Sequence, residues 1–383
     1  MEHFDHIIVG LGSVGSAVSL ELARRGRRVL GFDAYSPPHT RGSHHGESRS
    51  VRKAYLEGTV YVPMALRAWE LWRRLEKDCG KQLLLKSGNL TIGPADAPAV
   101  TGFFSSARKY DLEHQELSSD QVIKKWPQLK VPKGYIAGLE VEAGIVLAEK
   151  SIEVMLQQAA RAGARLHPNE RVNSWWETEG HVEAVTERGR YRAESILFAA
   201  DTGNLALLPQ LSSHLRCKRV PVGWVTPLKE SAFQLGRFPV NFWQVPMQDN
   251  GNEPNYAEFY SLPCMQPGSQ VKVAPHNNLM DMGENLSEEL QPTELEHLRL
   301  LIRRYLPSLA EGKIVHSTCQ YTLTDDGHFF LGKVPGKGQT YCAVLGGHGF
   351  KFSPVLGEIF ADLMTDAPTG FNLDLFSLHR LPT

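Results

Sequence analysis

The 383-residue sequence has few cysteines, almost no net charge and no long apolar run. Its five cysteines are odd in number, far apart and never in a C-x-x-C pair, which argues against a disulfide framework and a zinc site. The 41 basic and 42 acidic residues nearly cancel, so the overall charge favours neither nucleic acid nor an anionic membrane as a partner. No apolar run approaches the ~18 residues of a membrane span, and the acidic N-terminus does not resemble a signal peptide. We therefore expect a cytoplasmic, soluble protein without a metal.

A strand, a glycine turn, a helix and a second strand occupy the start of the chain. A β-branched run at 4–9 leads into the G-x-G-x-x-G spacing at 10–15, a helix is expected at 16–25, and a strand at 28–32 ends in Asp33. In such a unit the glycines bring a pyrophosphate close to the helix N-terminus, and the acid binds a ribose diol. The pattern predicts dinucleotide binding, without separating NAD from FAD, by Gly10, Gly12, Ser13, Val14, Gly15 and Asp33.

The segment 36–52 is too rich in glycine, proline, serine and histidine to be a regular element. Long loops of this kind are usually functional. If Ser48 caps a helix, Arg49 and Arg52 project from neighbouring sides near its N-terminus. Surface salt bridges and anion binding are both open interpretations of these arginines, and ordinary loop packing accounts for the nearby histidines.

The middle of the chain is predicted to combine helices with short strands. Helices are expected at 61–78, 101–110, 151–162 and 293–305, and strands at 89–92, 182–186, 191–193, 196–200, 258–262 and 270–274. Lys272 alternates with Val271 and Val273, so it faces the opposite side of its strand, where a lysine usually points to water.

A second glycine-rich loop, 346–354, precedes an apolar helix expected at 355–364. Such a loop offers backbone amides and a helix dipole to an anion, and Lys351 adds a positive charge. Because the first glycine turn already serves phosphates, the second predicts another negative charge on the cofactor, such as the N1/C2 carbonyl region of a reduced flavin.

Five segments together carry a resemblance to a known family. They are the glycine unit at 10–15, the loop at 37–55, and the segments 319–322, 325–329 and 347–352. In order and spacing they resemble the monomeric sarcosine oxidase family, which includes N-methyl-tryptophan oxidases and pipecolate oxidases. The similarity runs almost from end to end and is weakest between Asp201 and Glu258.

The resemblance implies an α/β plus α+β fold. A Rossmann-like FAD-binding domain of the glutathione-reductase type is interleaved with a sheet-rich substrate domain. The implied boundaries are 1–86, 146–215 and 326–383 for the FAD-binding domain, and 87–145 and 216–325 for the substrate domain.

The resemblance also implies FAD held covalently by a thioether between Cys319 and the flavin 8-methyl carbon. From the residues alone, Cys319 ranks no higher than the other four cysteines. Besides the first glycine turn and Asp33, the residues that match cofactor-binding positions are Ser43, His44, Arg49, Cys319, Gly347, Gly349, Phe350 and Lys351.

The implied substrate is a secondary-amine amino acid. Arg52 and Lys351 match the residues that hold its carboxylate, and Gly347 matches the residue whose carbonyl orients its amine. Further substrate-binding positions correspond to His276, Tyr321 and Phe259, the last standing where a pocket tyrosine is found in sarcosine oxidases.

Three residues carry implied catalytic roles. Arg49 and His45 match residues over the flavin face, and Lys272 matches the lysine that activates oxygen by stabilising superoxide. Phe259 and two further departures from the family pattern leave the substrate open. Glu47 and Ser48 replace the family's aspartate and threonine, and the stretch 201–204 lacks its usual tryptophan.

Together these assignments imply a monomeric oxidase. It removes a hydride equivalent from the carbon beside a neutral secondary amine, releases an imine that hydrolyses, and reduces O2 to hydrogen peroxide. A dehydrogenase with a non-oxygen acceptor and a flavin-binding subunit without turnover remain open. The sequence does not rank sarcosine, N-methyl-tryptophan, pipecolate or another secondary amine as the substrate.

Overall fold

The computed structural model describes residues 2–247, 256–276, 280–281 and 290–380, which form twenty strands and eight α-helices. The helices are α1 (Ser13–Arg24), α2 (Val62–Cys79), α3 (Pro98–Lys109), α4 (Ser119–Lys125), α5 (Ala148–Arg161), α6 (Asn204–Leu207), α7 (Pro292–Tyr305) and α8 (Ser353–Met364). The strands are β1 (His3–Val9), β2 (Val29–Phe32), β3 (Ser48–Val51), β4 (Leu84–Lys86), β5 (Asn89–Pro94), β6 (Gln115–Ser118), β7 (Tyr135–Glu140), β8 (Gly144–Leu147), β9 (Arg165–His167), β10 (Val172–Thr178), β11 (His181–Thr186), β12 (Arg190–Phe198), β13 (Leu215–Thr226), β14 (Val240–Pro246), β15 (Tyr256–Leu262), β16 (Val271–Pro275), β17 (Met280–Asp281), β18 (Lys313–Thr324), β19 (Phe330–Lys333) and β20 (Thr340–Val344).

The first sheet is built around β1. Parallel pairing joins β9, β2, β1, β12 and β20, while β10, β11 and β19 add antiparallel strands. The strands predicted at 191–193 and 196–200 are one continuous strand, β12. It pairs with β11 along its first half, with β20 at its end and with β1 from Arg192 to Phe198. Helices α1, α2, α5 and α8 supply side chains to the apolar core on one face of the sheet. The α/β character expected for the nucleotide-binding part is confirmed.

Helix α1 begins at Ser13, three residues before the predicted start. The amide of Ser16 donates to the carbonyl oxygen of Gly12 at 3.0 Å, so the helical hydrogen bonding starts inside the glycine turn. An early start brings the free amides of the first turn directly under the loop that follows β1. The glycine turn and the helix N-terminus are therefore one feature.

The second sheet has the order β17-β13-β16-β15-β14-β5-β7-β6, with β18 paired to β13 along its full length. Helix α7 packs on one face together with the apolar side chains of β15 and β16. The opposite face carries Tyr260 and Lys272, and the Lys272 side chain meets the loop at 43–48. The site described below lies between that face and the first sheet.

A small third sheet joins β3, β8 and β4. The helix suggested after Ser48 is wrong, because Ser48 to Val51 form β3 and pair antiparallel with Leu147 to Gly144. Its partner strand lies about a hundred residues away, so nothing in the local sequence could reveal this pairing. Arg49 therefore projects from a strand, and Arg52 follows directly after its end.

No helix among the described residues is long and apolar enough to cross a membrane. All five cysteines are free, and the described part contains no group of three or more His, Cys, Asp or Glu that could hold a metal. The division into two interleaved domains stays a prediction. Within it, residues 1, 248–255, 277–279, 282–289 and 381–383 lie outside the described residues.

Candidate active site

A cavity of about 810 Å³ runs along the carboxyl ends of the parallel strands. Cavities of roughly 300–1,000 Å³ are typical of ligand sites. It brings together most of the predicted cofactor-binding residues, namely Gly10, Gly12, Ser13, Val14, Asp33, Ser43, His44, Arg49, Gly347, Gly349 and Phe350. Gly15, Cys319 and Lys351 do not line it directly.

The glycine turn is packed too tightly for side chains at two of its positions. A Cβ on Gly15 would lie 1.8 Å from the Gly10 carbonyl oxygen, and a Cβ on Gly10 would lie 2.5 Å from the carbonyl oxygen of Ala199. Gly10 also has a φ of +91°, in the left-handed region that favours glycine. Gly15 therefore serves the turn by allowing close packing rather than by touching a ligand.

Asp33 lies at the edge of the cavity with its carboxylate facing backbone amides. It accepts hydrogen bonds from the amide of Leu11 at 2.8 Å and from the amide of Tyr35 at 2.9 Å, and His39 Nε2 lies at 3.2 Å. Burial acts to raise the pKa of Asp33, but these hydrogen bonds outweigh it and hold the pKa below its usual range. The acid is thus an anion fixed in place, as binding of a ribose diol requires.

Cys319, on β18, is buried beside the Arg49 guanidinium. Its sulfur lies 3.8 Å from Arg49 Nη2 and 3.6 Å from the carbonyl oxygen of Ser43. Arg49 Nη2 also donates to the carbonyl oxygens of Ser43 at 2.6 Å and His45 at 2.8 Å. Burial raises the pKa of the Cys319 thiol, while the Arg49 charge opposes that rise. A cation placed against the sulfur is what formation of a thiolate needs.

Lys272 is buried, although its sequence pattern alone favours exposure. Its ammonium donates to the carbonyl oxygens of Gly46 at 2.8 Å and Ser48 at 3.0 Å. The alternation with Val271 and Val273 holds, but the opposite face of the strand meets the loop at 43–48 instead of water. Burial lowers the pKa of Lys272 well below its ordinary value, and Arg49 lowers it further.

His45 lies in the same loop. Its Nε2 is 2.7 Å from the carbonyl oxygen of Thr318, the residue before Cys319. Burial lowers the pKa of His45, and the nearby Arg49 acts in the same direction. Arg49 lines the large cavity, whereas His45 lines neither cavity and meets the Arg49 guanidinium through its carbonyl oxygen.

A second, smaller cavity of about 60 Å³ adjoins the large one and shares four lining residues with it: Arg49, Tyr321, Gly347 and Phe350. The predicted substrate residues Arg52, Lys351, His276, Tyr321 and Gly347 all line this pocket. A Cβ on Gly347 would lie 2.4 Å from the Tyr321 ring, so only glycine fits there.

Two cations from opposite ends of the chain meet in the pocket. Arg52 and Lys351 are both buried, and Arg52 lies over the rings of Tyr55 and Phe242 at 5.5 and 5.4 Å. The Lys351 ammonium donates to the carbonyl oxygen of His348 at 2.7 Å. Burial, and then Arg52, lowers the pKa of Lys351 to about 7. No acceptor among the described residues lies within hydrogen-bond distance of the buried Arg52 Nε.

Glu57 lines neither cavity but lies beside two residues of the small pocket, and the sequence patterns did not single it out. Its Oε1 lies 3.6 Å from Arg52 Nη2 and 3.9 Å from His276 Nε2. Burial acts to raise the pKa of Glu57, but Arg52 outweighs it and holds the pKa at about 2. His348 and Tyr55 were also missed, and their Nδ1 and hydroxyl lie 2.5 Å apart. No periodic signal marks Glu57, because it lies in a loop between β3 and α2.

Phe259 does not line the pocket, which corrects the assignment made from its position in the sequence. Its ring stacks on Trp243 at 5.6 Å, inside the core beneath α7. The neighbouring Tyr260 faces the pocket instead, because successive side chains of a strand point to opposite faces. The pocket therefore has a tyrosine on this strand, one position further along.

The residues present fit FAD. The glycine turn leaves room for a pyrophosphate at the start of α1, Asp33 stands where a ribose would lie, and the cavity extends to the loop containing Arg49 and Gly347. The chemistry of the wall also changes along the cavity, from backbone amides at α1 to cations and aromatic rings at the small pocket. Such an elongated site matches a nucleotide at one end and a redox ring at the other.

Comparisons with known proteins agree with this geometry. The family model described as FAD dependent oxidoreductase matches residues 5–363. Monomeric sarcosine oxidase of Streptomyces avermitilis is 31% identical over 383 residues, which cover 99% of this chain and 98% of the relative. N-methyl-L-tryptophan oxidase of Salmonella dublin is 32% identical over 385 residues, 98% of this chain and 99% of the relative.

Among solved structures, the open form of NikD, an unusual amino acid oxidase essential for nikkomycin biosynthesis, has the same fold. Its TM-score is 0.83 at 23% identity, and the match covers 98% of each chain. The family model and the two relatives extend over almost the whole of this sequence. The chain therefore belongs to the FAD dependent oxidoreductase family and is a flavoprotein amine oxidase of the sarcosine oxidase type.

Proposed function

We propose that this enzyme oxidises a secondary-amine amino acid and transfers the electrons to O2. The observation that carries the proposal is the convergence of Arg52 and Lys351 on a small pocket that adjoins the large cavity. Both cations are buried, and the carboxylate of Glu57 lies no closer than 3.6 Å to Arg52, so the pocket favours an additional anion. An α-carboxylate satisfies this requirement. The relatives described above are named as oxidases of sarcosine and of N-methyl-L-tryptophan, which are both amino acids with a secondary amine.

The pocket residues bind and orient, while bound FAD supplies the redox chemistry. Arg52 offers a planar fork for two carboxylate oxygens, and Lys351 offers a point charge. Burial lowers the pKa of His276 to about 3, so its ring is neutral and does not repel an amine. Tyr321 and Gly347, which line both cavities, stand at the boundary where the amine meets the flavin.

For the acceptor, we propose O2, reduced to hydrogen peroxide beside Lys272. Support comes from a buried ammonium held by two carbonyl oxygens behind the loop that also positions Arg49. A charge held in a dry site stabilises a developing anion without reorganisation. A dehydrogenase that uses another acceptor is the alternative, and it would not need this lysine.

We also propose that Cys319 attaches the flavin covalently. Of the five cysteines, it is the one that lies against an arginine at the cavity wall. Burial raises the pKa of Cys264 and Cys342 as it does that of Cys319, but no cation among the described residues opposes the rise at these two thiols, whereas Arg49 and Lys272 oppose it at Cys319.

The function is tested by mixing the purified enzyme with N-methyl and cyclic amino acids, with and without air. We expect bleaching of the flavin by at least one of these substrates without air, and one peroxide per turnover in air. Bleaching without air and no peroxide in air would identify the dehydrogenase instead. No bleaching by any secondary-amine amino acid would contradict the substrate class.

The carboxylate site is tested with an unreactive acid and its amide, titrated by the change in the flavin spectrum. Removing one partner of a desolvated charge pair costs ~2 to 5 kcal/mol, so Arg52→Ala should weaken binding of the acid at least roughly tenfold and binding of the amide much less. Arg73→Ala, an exposed arginine on α2, is the matched control. Equal binding of acid and amide by the unaltered enzyme would remove Arg52 as the anchor.

A further inference from the structure

Asp201 is a half-buried carboxylate in the wall of the large cavity, and the proposed reaction assigns it no role. It follows β12 and has a φ of +53°, in the left-handed region that residues other than glycine rarely adopt. Strained backbone of this kind is retained where the surrounding contacts impose it, and it is frequent at functional sites. The contacts of its carboxylate indicate what it does.

The carboxylate of Asp201 holds two segments together. It accepts hydrogen bonds from the hydroxyl of Ser43 and from Thr322 Oγ1, the latter at 2.5 Å. The backbone amide of Ser43 also donates to it. Burial acts to raise the pKa of Asp201, and the donors from Ser43 and Thr322 oppose that rise. Ser43 is thus held at both its side chain and its amide.

The carbonyl oxygen of the same serine faces the sulfur. It accepts from Arg49 Nη2 at 2.6 Å and lies 3.6 Å from Cys319 Sγ, which in turn lies 3.8 Å from Arg49 Nη2. Because Asp201 fixes the amide and the hydroxyl of Ser43, it also fixes the Ser43 carbonyl oxygen. That oxygen holds the Arg49 guanidinium, whose positive charge lies beside the Cys319 thiol. We infer that Asp201 is a positioning residue for covalent attachment of the flavin, acting through Ser43 and Arg49 on Cys319.

The effect is geometric rather than electrostatic. The negative charge of Asp201 raises the pKa of the Cys319 thiol, whereas the charge of Arg49 lowers it. If only charge mattered, loss of Asp201 would favour the thiolate and speed attachment. The contacts predict slower attachment instead. Without Asp201, the hydroxyl and the amide of Ser43 lose their acceptor, and the Ser43 carbonyl oxygen no longer holds the Arg49 guanidinium in a fixed position.

The inference rests on the covalent linkage proposed above. In that step the Cys319 sulfur loses its proton and bonds the flavin 8-methyl carbon, which also loses a hydrogen. The two protons and two electrons released from the S–H and C–H bonds end on dioxygen, the oxidant, as hydrogen peroxide. The sulfur can reach the carbon only as a positioned thiolate.

The test follows attachment in Asp201→Gly, which removes the carboxylate and suits the positive φ. Asp366→Gly is the matched control, because exposed Asp366 has a φ of +52°. Purified protein is incubated with saturating FAD in air, and the flavin that stays with acid-denatured protein is measured over time. We expect attachment at least roughly tenfold slower in Asp201→Gly than in Asp366→Gly, which should match the unaltered enzyme. Cys319→Ala should attach none.

Equal rates in the two glycine variants at saturating FAD would overturn the inference. A purely structural role would lower the thermal midpoint or the FAD affinity and leave that saturated rate unchanged, which also overturns it. If Asp201→Gly does not fold, Asp201→Asn against Asp366→Asn decides in the same way. If the unaltered enzyme releases all of its flavin in acid, the linkage itself is absent, and the inference falls with that proposal rather than through Asp201.

Discussion

At the scale of single residues, the enzyme holds the ammonium groups of two buried lysines with backbone carbonyl oxygens. Lys272 is held by carbonyl oxygens, and the Lys351 ammonium by the carbonyl of His348. A buried ammonium without a full counter-charge loses stability as a cation, which is why both lysines have lowered pKa values. Both sites therefore favour arrival of an anion, which is what each proposed role requires.

Lys272→Met is expected to separate the two half-reactions. Reduction of the flavin by substrate without air should change little, while reoxidation by O2 should slow at least roughly a hundredfold, since a preorganised charge is worth ~3 kcal/mol. Stopped-flow absorbance follows each half-reaction separately. Lys313→Met, an exposed lysine at the start of β18 in the same sheet, is the control. Equal slowing of both half-reactions would show that Lys272 is structural.

Lys351 makes binding of a carboxylate dependent on pH. Its pKa of about 7 means that the free enzyme loses the charge as the pH rises, and an anion binds the protonated form better. The affinity for acetate or propionate should therefore fall above about pH 7, whereas an amide should bind equally across the range. Flavin spectra recorded from about pH 6 to 9 measure this. The dependence should be reduced in Lys351→Met, and a flat profile for the acid in the unaltered enzyme would contradict it.

At the scale of elements, short segments far apart in the chain build the site in pairs. Strand β3 places Arg49 through its pairing with β8, and β18 places Cys319 and Tyr321 through its pairing with β13. Each pairing joins segments about a hundred residues apart. The loop at 43–48 leads into β3 and contacts Cys319 on β18 and Lys272 on β16. The positions of Arg49 and of Cys319 therefore depend on each other.

Gly15→Ala tests the contact between α1 and the glycine turn. The added Cβ would meet the Gly10 carbonyl oxygen at 1.8 Å, so the helix must move away from the turn. Overpacking costs about 1–3 kcal/mol, and here it also widens the phosphate site. We expect a lower thermal midpoint and loss of FAD on gel filtration of a variant that also carries Cys319→Ala. Gly189→Ala is the control, because nothing lies within 4 Å of the added Cβ, and it should leave the thermal midpoint and FAD retention unchanged. If Gly15→Ala and Gly189→Ala have the same midpoint and FAD retention, the packing argument is refuted.

At the scale of the whole molecule, buried and half-buried histidines with lowered pKa values link stability to pH. Burial lowers the pKa values of His6 and His348 to about 4 and those of His44 and His276 to about 3. The unfolded chain binds protons near the ordinary value of 6.5, while the folded chain does not until the pH is much lower. Unfolding therefore takes up protons between about pH 6.5 and 4, and stability falls as the pH falls through that window.

We expect the thermal midpoint to drop between about pH 7 and 5, with each histidine contributing up to about 1.4 kcal/mol per pH unit. Calorimetry in buffers of different ionisation enthalpy counts the protons taken up. His6 lies outside the site, and its Nδ1 is 2.8 Å from Ser195 Oγ. The variant His6→Gln should therefore show a smaller change of the thermal midpoint with pH. His316→Gln, an exposed position on β18, should not. Unfolding without proton uptake in this range would exclude the histidines as the cause.

The monomeric state and the cytoplasmic location stay predictions from the sequence. The confirmed part at this scale is the family, the use of FAD and the α/β architecture around the glycine unit.

The sequence by itself determined the features that depend on neighbours along the chain. The strand, glycine turn, helix and second strand at 3–32 follow from local periodicity and from glycine's freedom at φ > 0, so their order was predictable. The alternation around Lys272 likewise showed which side of β16 the lysine occupies. Local spacing also ruled out a C-x-x-C motif and a long apolar span.

Only the tertiary structure decided what each side chain meets. Alternation could not show that the far side of β16 faces the loop at 43–48, that Tyr260 rather than Phe259 faces the pocket, or that Glu57 stands beside Arg52. It also could not show that Ser48 begins a strand, because β8 supplies the hydrogen bonds that make it one. These outcomes depend on contacts between residues distant in sequence, whose free energies come from burial and pairing that no local pattern records.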